Sequence, residues 1–220
     1  MQKDTSTPFA FIHVPKCAGT SLRSVFFDWY GAGVIPHYYH EPTGGAPKPI
    51  TLDYAIKHLK EHGSCCIFGH FNCLRGFGVR HNISFVEMFF TILREPFSQF
   101  VSEFKYKAAR SRTQLNFESY LQECSPNYLN HFPNIVSFEN YKEEIEKFEF
   151  IGIYEYFEES VEFMSRLLGK EAPGKMLKRQ NVGPSDSFDY SKYRLEFEEL
   201  NSLECEAYNY ARKIFEEKVL

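Results

Sequence analysis

Apolar residues gather into four short runs, and polar turns followed by helically spaced apolar positions separate them. The first run, FAFIHV (residues 9–14), reads as a buried strand. Leu22, Val25, Phe26 and Trp29 then recur at helical spacing, and Gly31 or Gly33 can end that helix. CCIFGH (65–70) is a second buried strand, preceded by a short helix over 52–62 that stops at Gly63. VEMFFTIL (86–93) is the third and strongest; Pro96 suits the first turn of the helix after it, whose stripe is Phe97, Phe100, Val101 and Phe104. FEFIGIY (148–154) is the fourth, followed by a helix over 158–168 closed by Gly169. Helical pieces are expected at 117–123 and 141–148, with the charged stretch 142–147 exposed, and a final helix buries Leu203, Ala207, Tyr210 and Ile214. Residues 31–50, rich in Gly, Pro and aromatics, read as a binding loop or lid. Strands alternating with helices predict an α/β fold, a mainly parallel sheet flanked by helices.

Composition sharpens this picture. A chain of 220 residues, 43% hydrophobic, is long enough for one domain over 1–220, and its 23 Phe and 14 Tyr predict an aromatic core. A net charge of −4 offers no basic footprint, so nucleic acid is not an expected partner. No apolar run reaches membrane-spanning length and MQKDTSTP lacks a signal-peptide core, so a cytoplasmic protein without a membrane span is expected; the alternative is a Golgi-lumen enzyme trimmed of an anchor. The six cysteines form no C-x-x-C pair and read as free thiols in a reducing compartment.

The turn VPKCAGTSL, between the first strand and its helix, has the makings of an anion site. Small residues let backbone N–H groups approach a phosphate, a helix N-terminus adds partial positive charge, and Lys16 adds a full one. It is not a Walker A loop, because Lys16 precedes Gly19. Arg94 ends the third strand, where ligands of open α/β sheets gather, and Ser102 follows eight residues later on a helix face shared with Ser98 and Lys105. An Arg fork with a hydroxyl makes a second phosphate clamp. Two clamps on successive strand ends suggest a nucleotide with phosphates at two positions.

His70, after the second strand, is the candidate general base, whereas His13 reads as a structural residue inside the first strand. Glu41 and Asp53 stand in reserve. His58 to His62 matches H-x-x-E-H without an evident third ligand and reads as a solvated face, so no metal is expected. Asn82-Ile-Ser84 is a glycosylation sequon that needs a secretory context.

VPKCAGTSL followed by TILREPFSQFVSEFKY resembles the paired signatures of sulfotransferases that use 3′-phosphoadenosine 5′-phosphosulfate (PAPS), above all the carbohydrate branch with heparan sulfate 2-O- and 6-O-sulfotransferases. IFGHFN, FIGIYEYFEESVEFMSRLLG and LKRQNV resemble later segments in the same order, and Cys17 stands where Thr is common. The resemblance implies a P-loop-NTPase-like sulfotransferase fold and sulfuryl transfer from PAPS to an acceptor hydroxyl, with PAP as product. It implies that Lys16, Cys17, Ala18, Gly19, Thr20, Ser21 and Leu22 hold the 5′-phosphosulfate, that Arg94 and Ser102 hold the 3′-phosphate, and that Arg179 and Asn181 lie near the nucleotide. Lys16 and His70 would be catalytic.

A P-loop kinase using ATP is the alternative, weakened because the strongest strand ends in Arg94 rather than an acidic residue. An inactive nucleotide-binding interaction module is the other. The acceptor is expected to be a neutral or sparsely charged glycan or small hydroxyl compound. Loop 31–50 carries only Lys48 as a fixed cation, while Tyr30, His37, Tyr38, Tyr39 and His40 suit sugar faces. Arg75, Arg80, Lys107, Arg110 and Arg112 are the cations that could gather near the cleft.

Overall fold

A computed structural model describes residues 3–39, 45–111, 113–123, 128–174 and 188–220. Arg179 and Asn181, with His40, Glu41 and Arg112, lie outside the described residues. The chain runs β1 (Phe9–Ile12), α1 (Gly19–Tyr30), β2 (Val34–His37), α2 (Leu52–His62), β3 (Cys66–Gly69), α3 (Val79–Asn82), β4 (Phe89–Leu93), α4 (Pro96–Ala108) and α5 (Phe117–Glu123). It continues through α6 (Tyr141–Glu146), β5 (Phe150–Ile153), α7 (Phe157–Leu167), α8 (Arg194–Leu200) and α9 (Ser202–Val219).

All pairings within the five-stranded sheet are parallel, in the order β2-β3-β1-β4-β5. Ile12 is level with Gly69 on one side and Thr91 on the other. The carboxyl ends of β1, β3 and β4 therefore share one edge, and the residues that follow them are the candidates for chemistry. The chain leaves β1 toward β2 and leaves β4 toward β5, so the crevice between β1 and β4 is the switch point of the sheet, where such folds bind ligands.

Both faces of the sheet are covered, which is why β1, β3, β4 and β5 are buried along their whole length. Stacked Phe11 and Phe68, 4.8 Å between centroids, anchor one part of this core. A second cluster is aromatic and separate: Phe97, Phe100 and Phe104 of α4 pack on Phe117 and Tyr120 of α5 and Phe197 of α8. The apolar stripe expected for α4 thus has its partner there.

Three expectations need correction. Residues 31–50 are not all loop, because Val34–His37 forms the edge strand β2; flanking glycines and Pro36 mask it, and an edge is where a strand tolerates proline. The buried face of α9 is Glu204, Ala207, Tyr208, Ala211 and Phe215, with Leu203, Tyr210 and Ile214 half-buried beside it. The charged stretch 142–147 is not wholly exposed: Glu144 is buried, where Asn134 and Lys147 donate to it. Asn82 of the sequon is buried too, with its amide donating to Gly78 O.

Candidate functional site

The turn after β1 is built on backbone strain. Lys16 (φ 65°) and Ala18 (φ 61°) both take the left-handed conformation that non-glycine residues seldom adopt. Such reversals turn successive amides toward one concave side, the form of an anion-binding nest. Gly19 has a different reason to be glycine. A Cβ there would fall 1.6 Å from Nε2 of His13, so the imidazole occupies the place of a side chain.

The helical ladder of α1 begins at Leu22, whose N–H donates to Ala18 O at 3.1 Å, so the amides of Gly19, Thr20 and Ser21 precede it. Two of the expected ligands have their amides engaged within the turn. Leu22 has its amide engaged in the helix and its side chain in the core. Cys17 donates its own N–H to Val14 O, and its thiol is buried, which pushes its pKa up. Both shape the turn from behind.

Arg94 follows β4 directly and faces this turn. Its Nη1 lies 3.4 Å from Lys16 O, its guanidinium stands 4.6 Å over the Tyr154 ring, and its buried Nε has no hydrogen-bond partner. Lys16 rests 4.4 Å over the ring of Tyr106, and Arg110 stacks on that same ring at 3.6 Å. Burial lowers the Lys16 pKa, and the like charges of Arg94 and Arg110 lower it further. Among the described residues, neither Lys16 nor Arg94 has a carboxylate within ion-pair distance; Glu103, the acid nearest in effect on Lys16, is paired with Lys107. Crowded cations without a counter-charge can take an anion.

Ser102 is half-buried on α4. Ser98, expected on the same face, gives its hydroxyl to Glu95. Gln99 ties α4 to the turn, its Nε2 donating to Pro15 O at 3.0 Å. Thr91 adds a bond from β4 to β1, Oγ1 to Ile12 O at 2.7 Å.

On the other side stands a group of rings. His70 and His13 stack with centroids 4.2 Å apart, Tyr38 meets His70 edge-on at 4.9 Å, and His131 is 6.2 Å from His70. His13 lies past the end of β1 rather than within it, so its reading as a strand residue is corrected. His70 Nδ1 is 2.7 Å from His13 O. Only an N–H can bond a carbonyl, so Nδ1 carries the proton and Nε2 keeps its lone pair. Burial lowers the His70 pKa, opposed by the bond to His13 O and reinforced by Arg75. The ring is neutral at pH 7 and able to accept a proton.

Other candidates disperse. Tyr30 and His37 are buried, Tyr30 against Phe9 and beneath Lys170, His37 stacked on Phe71, so neither serves an acceptor. Tyr38 and Tyr39 remain, with Tyr39 exposed beside Phe77. Arg80 pairs with Glu87 and Lys107 with Glu103; among the described residues Arg110 and Arg75 reach the site, and Arg23 joins them with its guanidinium 5.5 Å over the Tyr38 ring. Asp53 is exposed in the first turn of α2. Of the formal zinc pattern, His58 and His62 are ring neighbours, and no group of three or more metal-binding side chains forms among the described residues. Among those residues no helix is long and apolar enough to cross a membrane.

Sequence reasoning missed His13, Tyr38, Tyr106, Tyr154 and Arg110 as one assembly. Tyr38 and Arg110 are visible singly, as a sugar-facing ring and an outlying cation, whereas Tyr106 and Tyr154 are not, and the signal for the placing of His13 is Gly19, six residues after it, where a bare Cα leaves room for a ring.

A sulfotransferase from Alicyclobacillus acidocaldarius has a similar fold, with TM-score 0.53 and 12% identity over 95% of this chain and 96% of its own. Mouse sulfotransferase SULT7A1, solved in complex with PAP, gives TM-score 0.47 and 18% identity over 78% of this chain. The chain spans 62% of the mouse protein's length. No curated protein sequence matches it. The profile of the sulfotransferase family matches residues 3–211, a span that includes β1, β3 and β4 with Lys16, His70 and Arg94 at their ends. On that match, which covers nearly the whole chain, the protein belongs to the sulfotransferase family.

Proposed function

We propose that this protein transfers a sulfuryl group from PAPS to the hydroxyl of a carbohydrate or small-molecule acceptor, releasing PAP. One observation carries the reading: Lys16 and Arg94 converge from two strand ends, with no carboxylate among the described residues to pair them and with the Arg94 Nε buried and unbonded there. Donors left this way in water-poor surroundings fit a ligand bearing two anionic groups.

In this reading the turn opening α1 and Lys16 hold the 5′-phosphosulfate, while Arg94 and Ser102 hold the 3′-phosphate. Arg179 and Asn181 complete the nucleotide site on the family resemblance. The acceptor oxygen attacks sulfur in line with the departing bond. Its proton passes to Nε2 of His70, the S–O bond to the 5′-phosphate breaks, and the charge left on that oxygen falls to Lys16 and the amides of the turn.

The acceptor belongs to the neutral or sparsely charged class, against Tyr38 and Tyr39. Among the described residues, Arg23, Arg75 and Arg110 fall short of the dense cation groove that suits a heparan chain. Sulfate transfer from labelled donor to neutral oligosaccharides should exceed transfer to heparan precursors at about 0.15 M salt. The reverse order would put the protein in the heparan branch.

A thermal-shift titration tests the donor. PAP should raise Tm more than ADP or ATP at equal concentration, because only PAP fills both clamps. A preference for ATP would move the reading to a kinase, and no shift with any of them would leave a fold without its nucleotide.

A further inference from the structure

His13 enters the mechanism above only through its carbonyl, yet its ring is held on three sides. One face stacks on His70 with planes 27° apart. Nδ1 lies 3.1 Å from the Tyr38 hydroxyl. Nε2 lies against Gly19, the first residue of α1, where the amides of the anion turn begin.

The Nδ1 contact with Tyr38 can form in two senses. With the proton on Nδ1, the Tyr38 oxygen accepts, and Nε2 turns a lone pair toward the turn. With the Tyr38 O–H donating to Nδ1, the proton is on Nε2, and an N–H faces the turn instead. An anion in the turn repels the first arrangement and bonds the second. The groups facing the ring keep it neutral: burial foremost, then His70, His131, Arg23 and Lys16, hold its pKa well below the ordinary imidazole range. The bond it offers is therefore one from a neutral donor, which adds no third cation beside Lys16 and Arg94.

We propose that Nε2–H of His13 is a donor of the anion-binding turn, bonding an oxygen of the 5′-phosphate group of the sulfuryl donor, with Tyr38 as the positioning residue that selects its tautomer. The proposal rests on the sulfotransferase reading and adds a side chain that reads the anion through tautomer choice. It also gives Gly19 a task, because any side chain there displaces the imidazole.

The test is side-chain nitrogen NMR of the histidines in the full chain titrated with PAP, joined to calorimetry of PAP binding by His13→Ala and Tyr38→Phe. In the PAP complex His13 should carry its proton on Nε2. His13→Ala should weaken PAP about tenfold, and Tyr38→Phe should weaken it less, by roughly two- to threefold, as expected for loss of one hydrogen bond to a charged group and of its support. A PAP complex with the proton on Nδ1, or unchanged affinity in His13→Ala, would overturn the proposal while leaving the donor reading intact. If His13→Ala does not fold, the tautomer in the native complex decides alone. Failure of the native protein to bind PAP would overturn the donor reading and this proposal together.

Discussion

Arg194 bonds both carboxylate oxygens of Glu95, Nη1 at 2.9 Å from Oε1 and Nη2 at 3.5 Å from Oε2, across 99 residues of chain. The same carboxylate caps α4, accepting from the N–H of Phe97 and of Ser98. The first residue of α8 therefore sets the start of the helix that follows Arg94 and carries Ser102. Burial would raise the Glu95 pKa, but the bonds from Ser98 and Arg194 more than reverse this and hold it below its usual 4.5. A depressed carboxyl contributes stability that is present above that value and lost as pH falls through the lowered one. Glu95→Ala removes the cap and should cost about 1 kcal/mol, a fall in Tm of roughly 2–4 °C at neutral pH. Arg194→Ala, half-exposed, should cost less and still weaken PAP severalfold by releasing α4. Unchanged calorimetric affinity for PAP would separate this staple from the site.

Arg94→Ala should discriminate between ligands. It should weaken PAP by about ten- to a hundredfold, the loss of a charge-assisted contact of roughly 1.5–3 kcal/mol, and leave 5′-AMP nearly unchanged. Titration calorimetry with both ligands reads this directly; equal weakening would take Arg94 off the 3′-phosphate.

His70→Ala should lower kcat by about 10²–10⁴-fold with PAP affinity preserved. In the proposed role His70 acts when neutral, and burial lowers its pKa in the folded protein. Activity should therefore hold from neutral pH to below 6.5, the ordinary imidazole value, before it falls. Arg75 contributes to that lowering, so Arg75→Ala should move the acid limb of the kcat/KM profile upward. A limb that stays in place would detach Arg75 from the base.

Glu204 is buried on α9, with Oε1 accepting from Leu129 N–H at 3.4 Å and Oε2 lacking a partner. Burial pushes its pKa from 4.5 up to about 8. Its proton is then kept on folding, so the stability it allows is complete below 4.5 and lost as pH rises through about 8. Glu204→Gln should raise Tm at pH 8 and change it little at pH 5. His131 works in the opposite sense, held down to about 3 by burial first and by the charge of His70 next, so acidification below 6.5 destabilises the fold. Thermal unfolding of the native chain and of Glu204→Gln across this range measures both slopes. Equal gains at the two pH values would mean that Glu204 ionises normally.

Much of the frame is legible in the sequence because of where the strands lie. β1, β3, β4 and β5 are covered on both faces and so appear as apolar runs, and Lys16, His70 and Arg94 are visible as the first chemistry after three of them. β2 is an edge with Pro36 in it, and an edge leaves no such run. The stripe of α9 is misread because a carboxyl, Glu204, takes an inward position that pattern reasoning gives to an apolar residue. The remainder is a matter of proximity. Tyr106 lies 90 residues after Lys16, whose charge it carries, and Tyr38 lies 25 residues after His13; nothing in either local pattern announces the contact. That the amides of Leu22 and Cys17 already have acceptors is hidden for a third reason, since only a count of backbone bonds reveals it.

The aromatic block beneath α4 forms a second core beside the one that fills the sheet. Phe97, Phe100, Phe104, Phe117, Tyr120 and Phe197 hold together through their own contacts, apart from the cluster that fills the sheet. Lys16 is anchored to the sheet, whereas Ser102 travels with the block. A ligand that joined the turn after β1 to α4, as proposed, would bolt one core to the other, and its grip would suppress local opening without a change of shape in either.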